Sequence, residues 1–527
     1  MSAIKNLESI LNHEEKRLGT SLEGLGHAMP LIELIRSVDF ETYAQKIKGD
    51  QIKSDTTLDK YRFGWSLPFR QLYEEYSYSD QFPLFESNAE IRRWINSLIL
   101  HSGSIQITRQ VLEQHKAKLY SLEQESETSF LFRQLSEGVG DEYYERLSLA
   151  YYHSTVEKVL ENKIKPAMAG LPEMRKKLES IVHLVDERFI QYEATEEVEV
   201  FYNRLGYIMM MVTQIIDDLD ESDTFGGIAY KDYLDFVEYG FMVGHMHRDC
   251  CFALAEKTKY QVNLQTILTH GFSSKRFFQT LSDYFGWDET KAKQIASCLT
   301  LSKENFDFHL SYPGLAPCPY FQLGEDVWIR SIEGCLSMPV FFLNRELKRK
   351  YPKDYQRARN KREARFKAQL YDYFKYDWIQ CIEKNIEIGT TDIDAVVFDN
   401  RKKVLALFQL KWQDAFSTSM KERRSRISNM IPKSVQWIDK VVTWIQENDQ
   451  ETVLRTCGID DNRIKDIQLI ILSRNHIHFT NNELDDRATW GSWFQLFEAS
   501  AKVKDKSNSN PIMEIVTKLR FLYPDMR

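Results

Sequence analysis

Acidic, amide and basic side chains lie close together in sequence near the C-terminal end of the chain. Asp392 and Asp394 open an apolar run that ends at Phe398, and Gln409 and Lys411 close the next apolar run. Alternate residues of a strand point to the same side, so each pair shares one side of its strand. A carboxylate, an amide oxygen and an ammonium group at neighbouring strand ends can hold a divalent metal against a phosphodiester and activate a water. Metal-assisted phosphodiester hydrolysis is the chemistry that these residue types predict.

The apolar runs around these residues predict three consecutive strands. A hairpin between the second and third strands would turn at Asp399–Lys402, where polar residues cluster. We expect the residue opposite Asp394 to lie near Lys403–Ala406 or a little beyond. Strand twist and crossing can then bring Gln409 close to Asp394, which the hairpin register alone does not guarantee. The predicted strands are Trp378–Ile388, Ile393–Phe398 and Val404–Trp412.

Helical patterns surround the three strands. Ala358–Phe374 is predicted to be a helix with one apolar face, formed by Phe366, Leu370 and Phe374, and Glu363 is placed on that same face. After the strands, Lys433–Gln446 reads as an amphipathic helix and Ile467–Leu472 as a buried strand. The predicted order is therefore helix, three strands, helix, strand.

This order, with Glu363, Asp394 and Gln409-Leu-Lys411, resembles the PD-(D/E)xK (restriction-endonuclease-like) nuclease superfamily. The glutamine in place of the usual acid resembles the Mrr-like QxK branch. The resemblance covers roughly residues 355–480. It implies an αβββαβ domain that cleaves a nucleic-acid backbone, DNA above all, with Mg²⁺ or Mn²⁺. The spacing of the motif alone is weak evidence, and its strand and helix context carries the comparison.

The resemblance also implies a role for each site residue. Asp394 would be the metal-binding aspartate, and Gln409 would occupy the second acidic position. The backbone carbonyl of Leu410 would complete the metal shell, and Lys411 would orient or polarise the attacking water. Asp392 could supply the charge that the glutamine lacks, because Mg²⁺ prefers hard, charged oxygen ligands.

Two departures from the superfamily pattern leave an alternative open. The Phe-Glu pair of its first helix is Phe366-Lys367 here, so Glu363, one turn earlier, would take the place of that glutamate. No proline precedes the aspartate. With fewer acidic ligands, the domain could instead be catalytically silent and bind nucleic acid or a partner protein. A scaffold function carried by the N-terminal region is a further alternative.

Basic residues concentrate just before the predicted nuclease domain. Residues 345–367 hold eleven Lys or Arg against three acids, a net charge of +8 within a chain of net charge −8. A local basic surface of this kind is typical of phosphate contacts, although a solvated helix face explains it equally well. The nucleic-acid-binding residues predicted are Arg357, Arg359, Lys361 and Arg362 on the first helix, Arg423 and Arg424 in a loop after the third strand, and Lys433 and Gln436 on the next helix.

Composition indicates a globular, multidomain chain. The 527 residues are 43% hydrophobic and 28% charged, which is enough for two to four domains with sizeable cores. Seven scattered cysteines favour a reducing compartment. His245, His247, Cys250 and Cys251 could bind zinc, but core packing explains them better. The sequence shows neither a signal peptide nor a membrane-spanning run, so we expect a cytoplasmic protein that does not bind membranes.

The expected fold class is multidomain, α followed by α/β. Residues 1–310 read as a helical regulatory or partner-binding region, with up to two subdomains, and 311–344 as a connector with short strands. Residues 345–498 form the nuclease-like domain, and 499–527 a tail with a final helix. The helical region would sense a trigger, bind a protein partner, self-associate or restrain the nuclease. Such an architecture resembles bacterial effectors of defence against phage or foreign DNA.

Overall fold

Two compact units make up the chain in the computed structural model. The structure describes residues 3–47, 55–79, 82, 85–135, 141–216, 219–413, 419–475, 484–501 and 510–522. The first unit comprises Met1–Leu112, Leu122–Leu131 and His153–Tyr355, and the second comprises Glu113–Ser121, Phe132–Tyr152 and Gln356–Arg527. The second unit therefore draws on two early segments that the sequence had placed with the helical region.

The chain up to residue 350 is mostly helical, which the sequence predicts for residues 1–310. Its helices are α1 (Ala3–Leu22), α2 (Ala28–Ile47), α3 (Asp55–Gly64), α4 (Ser66–Glu75), α5 (Ala89–Lys116), α6 (Asp141–Ile181), α7 (Glu196–Thr213), α8 (Tyr230–Lys257), α9 (Leu264–Leu268), α10 (Ser274–Phe285), α11 (Glu289–Ser297), α12 (Phe306–Leu310), α13 (Ile332–Leu336) and α14 (Pro339–Lys350). Its strands are β1 (Tyr120–Gln124), β2 (Phe130–Gln134), β3 (His183–Val185), β4 (Phe189–Gln191), β5 (Thr224–Phe225), β6 (Ile228–Ala229), β7 (His270–Ser273), β8 (Thr300–Leu301), β9 (Tyr320–Gln322) and β10 (Val327–Arg330).

A four-stranded sheet in the order β7-β10-β9-β8 lies in the first unit. Residues 311–344, which we expected to be a connector, supply its two central strands, and β10 pairs with β7 from the preceding helical region. Helix α8 is buried along most of its length. The short apolar pieces between prolines therefore belong to a core, and the proposed connector is part of the first unit.

The second unit contains a mixed sheet with helices on both faces. Its elements are α15 (Pro352–Asp372, whose first residues belong to the first unit), β11 (Ile379–Ile382), β12 (Ile386–Ile388), β13 (Thr391–Ile393), β14 (Ala395–Asp399), β15 (Val404–Lys411), α16 (Met420–Glu447), α17 (Gln450–Cys457), β16 (Asp466–Ser473), β17 (Ala488–Ser492), α18 (Trp493–Ala501) and α19 (Pro511–Leu522). The sheet order is β11-β14-β15-β16-β17. The first three strands are antiparallel, and β16 and β17 run parallel to β15.

The long helix α16 makes the connection between the parallel strands β15 and β16, as such a crossover requires. The expected succession of helix, strands, helix and strand is thus present, with additions. The first predicted strand is divided into β11 and β12, and β12 pairs with β13 in a small hairpin of its own. The closing strand β17 lies beyond the pattern that the sequence predicted.

Alternate residues of the central strands point to opposite faces of this sheet, and both faces are covered by helices. Leu405 and Leu407 pack with Trp437, Ile438 and other residues of α16 and α17 in one cluster. The residues between them pack on the other face against α15, α18 and α19 in a second cluster. Because β15 is buried on both faces, it reads as a continuous apolar run. Its last polar residues, Gln409 and Lys411, have the same parity as Leu405 and extend the α16 side of the sheet.

The hydroxyl of Tyr371 joins α15 to two strands. It donates to the carbonyl of Ile382 at 2.6 Å and accepts the N–H of Val396 at 3.2 Å. Ile382 and Val396 lie opposite each other where the pairing of β11 and β14 ends. The side chain thus satisfies buried backbone groups that otherwise have no ladder partner.

Replacing Tyr371 by phenylalanine is expected to lower the free energy of unfolding by about 1–3 kcal/mol, since it leaves a buried donor and acceptor unsatisfied. Urea denaturation of the full chain measures the effect. Tyr376→Phe is the matched control: the Tyr376 ring stacks on Trp378 at 5.1 Å, a contact that phenylalanine retains. Equal losses in the two variants would contradict the assigned role.

All seven cysteines are in the thiol form. Within the part of the chain that the structure describes, no helix has both the length and the apolar character needed to cross a bilayer.

Candidate active site

Asp394 lies between β13 and β14, and its side chain contacts Gln409 at one end of the β14–β15 hairpin. The register pairs Asp399 with Val404 and ends where Ala395 pairs with Phe408. The N–H of Asp394 also donates to the carbonyl of Phe408 at 3.1 Å. The backbone of Asp394 therefore meets Phe408, two residues beyond the range Lys403–Ala406 near or a little beyond which we expected its partner. The turn comprises residues 400–403, one residue later than expected, because Asp399 is itself paired.

The carboxylate of Asp394 is held by two hydrogen bonds to one of its oxygens. Oδ2 accepts Nε2 of Gln409 at 2.5 Å and the backbone N–H of Leu410 at 2.6 Å. Among the described residues, neither Oδ1 of Asp394 nor Oε1 of Gln409 takes part in a further hydrogen bond. Two hard oxygen atoms, one charged and one neutral, are therefore left for a cation at this strand end.

Burial raises the pKa of Asp394 from 3.8 to about 6. The Lys411 ammonium, the Leu410 N–H and the Gln409 amide act in the opposite direction, and the nearby Asp392 carboxylate adds to the increase. A desolvated carboxylate with a pKa displaced toward neutrality is characteristic of functional sites. A divalent cation would replace the missing solvation of this carboxylate, which favours metal binding at this position.

Lys411 lies two residues beyond Gln409 on the same side of β15, and its side chain is partly exposed. Its ammonium group lowers the pKa of Asp394, which shows that the two charges interact. A carboxylate, an amide and an ammonium group therefore meet at one end of the sheet. The three residues on which the sequence-based hypothesis depends are brought together.

A second ammonium group, which the sequence did not identify as part of the site, lies near Asp394. Lys367 of α15 is 8% exposed, and its Nζ donates to Oδ1 of Asn385 at 3.2 Å. Burial lowers its pKa, while the carboxylates of Glu383 and Asp394 raise it. The signal was available in the sequence, because Lys367 occupies the position of the glutamate in the family's Phe-Glu pair.

Glu363, which we expected to replace that glutamate, lies outside the buried face of α15. It is exposed, while Phe366 and Leu370 are fully buried. The residue one turn before Phe366 on the buried side is Arg362, 1% exposed. The helical pattern was ambiguous because positions three and four residues before Phe366 can both face the core. Among the described residues, Glu363 has no contact with the strand-end carboxylate.

Asp392 and α16 meet beside the site. Asp392 is exposed on β13, opposite Glu387. Its backbone carbonyl accepts the indole N–H of Trp437 at 2.7 Å, which fixes α16 against this hairpin. Two exposed residues precede Trp437 on the same helix: Lys433 lies one turn before it, and Gln436 lies one residue before it. Their predicted contacts with nucleic acid remain compatible with this position.

The other residues predicted to contact phosphate fall into exposed and buried groups in the structure. Arg357 and Lys361 are exposed and Arg359 is partly buried on α15. The prediction for Arg362 is corrected, because a fully buried guanidinium is not presented to a phosphate at the surface. Arg424 lies in α16 rather than in a loop, and its Nη1 is 3.2 Å from Oε2 of Glu113. Arg423 belongs to the same helix, and its side chain lies outside the described residues.

The donor set fits a weakly held divalent ion. Within the described residues, no group of three or more His, Cys, Asp or Glu side chains is arranged to hold a metal. A shell of one carboxylate, one amide oxygen, a backbone carbonyl and several waters suits Mg²⁺, which is typically bound through one or two carboxylates. Asp394 and Gln409 would supply the side-chain ligands. The carbonyl of Leu410 and the carboxylate of Asp392 stay predictions, and the ammonium groups nearby reduce the affinity.

Binding of Mn²⁺ is expected to tighten as the pH rises toward about 6 and to level off above it. Below its raised pKa of about 6, Asp394 must lose a proton before it can bind a cation. The apparent affinity should therefore change by about tenfold per pH unit well below that value. Isothermal titration calorimetry of the full chain measures this profile. An affinity that is independent of pH between about pH 5 and 7 would exclude Asp394 as the ligand.

Comparisons with protein-family models, with curated proteins and with solved structures find no match to this chain. The resemblance to the nuclease superfamily therefore depends on the strand-end residues and on the order of elements.

Proposed function

We propose that the second unit hydrolyses phosphodiester bonds of DNA with the aid of Mg²⁺ or Mn²⁺. The observation that carries the proposal is the desolvated Asp394 carboxylate, held by Gln409 and Leu410 within charge range of Lys411. The succession of α15, the antiparallel strands, α16 and the parallel strand β16 supports it, because the PD-(D/E)xK superfamily has this order. DNA is the substrate favoured by that resemblance.

Each residue has a distinct part in the proposed reaction. A divalent ion held by Asp394 and Gln409 would polarise the scissile phosphate and lower the pKa of a bound water. Lys411 orients the attacking water and stabilises the hydroxide that forms from it. Hydrogen bonds from Gln409 Nε2 and Leu410 N fix the carboxylate of Asp394 before substrate arrives, and such preorganisation lowers the cost of reaching the transition state.

Basic side chains would position the DNA backbone. Arg357, Lys361 and Lys433 are exposed on α15 and α16, and Gln436 adds a hydrogen-bonding group beside Trp437. Contacts of this kind are independent of sequence and weaken with salt. We therefore propose a nuclease whose DNA affinity falls steeply with ionic strength. The first unit would restrain this activity, bind a protein partner or respond to a trigger, as in a bacterial defence effector.

A catalytically silent domain that binds nucleic acid is the second candidate. Gln409 replaces an acid, and Lys367 brings a positive charge close to Asp394. Both features weaken the attraction for a metal ion. This candidate predicts DNA binding without cleavage, and Asp394 substitutions would leave the affinity for DNA unchanged or raise it.

A plasmid cleavage assay separates the two candidates. Purified full-length protein is incubated with supercoiled DNA and Mg²⁺ or Mn²⁺, with EDTA as the control. Nicked or linear products that require the metal support the nuclease. Intact plasmid together with a mobility shift at low salt supports the silent binding domain. If the plasmid is neither cleaved nor bound, both candidates lose their support.

A further inference from the structure

Arg330 lies in the middle of a row of polar side chains that crosses the sheet of the first unit. It ends β10 and is paired directly with His270 of β7 on one side and with Tyr320 of β9 on the other. Residues that are paired across strands point to the same face. Trp328, two residues earlier on β10, belongs to that face and is paired with Phe272. A guanidinium is thus embedded among aromatic rings and an imidazole.

The groups that face Arg330 carry no negative charge at neutral pH. They are the phenols of Tyr192, Tyr239 and Tyr320, the thiol of Cys335 and the imidazoles of His247 and His270. Burial, reinforced by the Arg330 charge, lowers the pKa of His270 to about 3, so this imidazole stays neutral. Among the described residues, Arg330 forms no ion pair with a carboxylate, and its Nε is buried without a hydrogen bond. An unpaired charge in the protein interior is costly.

Tyr192 is arranged to support Arg330 rather than to neutralise it. Nε2 of His247 lies 2.9 Å from the carbonyl of Ile267 and must donate to it, so Nδ1 accepts the hydroxyl hydrogen of Tyr192, also at 2.9 Å. The lone pairs of the Tyr192 oxygen are then directed to the neighbouring guanidinium. Arg330 is oriented, while most of its five N–H donors stay available.

One side of the row around Arg330 is accessible. Arg330, His270 and Tyr192 are each partly exposed, whereas their neighbours Tyr320 and His247 are each 1% exposed. A small molecule can therefore approach the guanidinium from the accessible side of the row. Nearby, Nε1 of Trp328 is a buried donor without a hydrogen-bond partner, which is also expected where a ligand is to be bound.

We propose that the accessible side of this row is a binding site for a small molecule with an oxyanion group, which pairs with the guanidinium of Arg330. Arginine matches carboxylate and phosphate oxygens in a two-pronged arrangement. Phe272 and Trp328 lie on the same face beside His270 and Arg330, and an apolar contact with these rings would suit a planar group, such as a nucleotide base, attached to the anion. The site belongs to the first unit and is independent of the proposed nuclease activity.

Thermal unfolding of the full chain with inorganic phosphate, succinate or AMP tests the site. At least one of the three probes is expected to raise the midpoint in a saturable manner, since it binds only the folded protein. Arg330→Gln should abolish this increase. Arg276→Gln is the matched control, because Arg276 is exposed in the same unit, and it should respond like the wild type. The three probes distinguish phosphate, carboxylate and nucleotide as the source of the oxyanion.

Unfolding without any probe provides a second readout. If Arg330 serves a ligand, Arg330→Gln removes an unpaired buried charge, and the midpoint should stay unchanged or rise. If Arg330 is a structural residue, the midpoint should fall. Arg330→Lys keeps the charge but lacks the two-pronged arrangement of N–H donors, so it should weaken probe binding by about tenfold or more. No stabilisation of the wild type by any probe, or equal stabilisation of Arg330→Gln, would overturn the proposal.

Discussion

Asp394→Asn is expected to lower metal-dependent DNA cleavage by about 10²- to 10³-fold or more. The substitution keeps the shape of the side chain and an oxygen that can accept from Gln409 and Leu410. It removes the charge of the carboxylate that would bind the cation. A single lost electrostatic contact with the transition state acts on this scale. Initial rates of plasmid nicking at saturating Mn²⁺ give the ratio directly.

Loss of activity in Asp394→Asn should not come from unfolding. The folded pKa of Asp394 is raised above 3.8 to about 6, so the ionised form destabilises the metal-free protein. This cost is absent below about pH 4, grows as the pH rises through about 6 and is fully present above it. Asparagine removes the cost, so the variant should be at least as stable as the wild type near pH 7.5 without metal.

Asp392→Asn is the matched control for this charge. Asp392 is exposed on β13 and lies two residues before Asp394. If it supplies only a supporting charge, its replacement should reduce the rate by no more than about tenfold. A reduction as large as that of Asp394→Asn would make Asp392 a full ligand. Wild-type rates in Asp394→Asn would contradict the role of Asp394.

Lys411→Met is expected to reduce cleavage by about 10²- to 10³-fold while leaving metal binding intact or tighter. The ammonium group stabilises the negative charge that develops in the transition state. It also competes with a cation for Asp394, since it lowers the pKa of that carboxylate. The variant should therefore separate catalysis from metal affinity, and Mn²⁺ titration alongside single-turnover cleavage measures both.

Lys402→Met is the control for a lost surface charge. Lys402 is exposed at the opposite end of the same hairpin, so its removal should change the rate by about twofold or less. Lys411→Arg keeps the charge but changes its geometry and should recover only part of the rate. Equal rates in Lys411→Met and Lys402→Met would remove Lys411 from the mechanism.

The central hairpin of the second unit could be predicted from sequence because its signals are local. Apolar runs fixed β14 and β15, and the polar turn after Asp399 fixed the connection between them. The alternation of residues placed Gln409 and Lys411 on one side of β15. The register depends on the position of the turn, which lies one residue later, at residues 400–403, than the sequence predicted.

Features that depend on distant parts of the chain could not be predicted in this way. Polar Glu383-Lys-Asn385 divides the first predicted strand, a break that periodicity over a few residues does not resolve. Arg423 and Arg424 were assigned to a loop because basic residues are common in both loops and exposed helix faces. The helix instead begins after Ser419, whose hydroxyl accepts the N–H of Glu422.

Burial of charged residues was equally hard to anticipate. Arg362 and Lys367 lie on α15 in a strongly basic stretch, yet both are buried. Composition favours exposure for such residues, and only the packing of α15 against the sheet reverses it. The same limitation applies to Arg330, whose place between His270 and Tyr320 follows from strand pairing over long sequence distances.

The dependence of plasmid nicking on Mn²⁺ concentration, compared between wild type and Asp394→Asn, tests the central claim most directly. For the wild type, the initial rate should rise with Mn²⁺, saturate and be abolished by EDTA. Asp394→Asn should give a flat line near the background rate. A flat line for the wild type, with DNA still bound, or parallel curves for the two proteins would contradict a metal-dependent nuclease centred on Asp394.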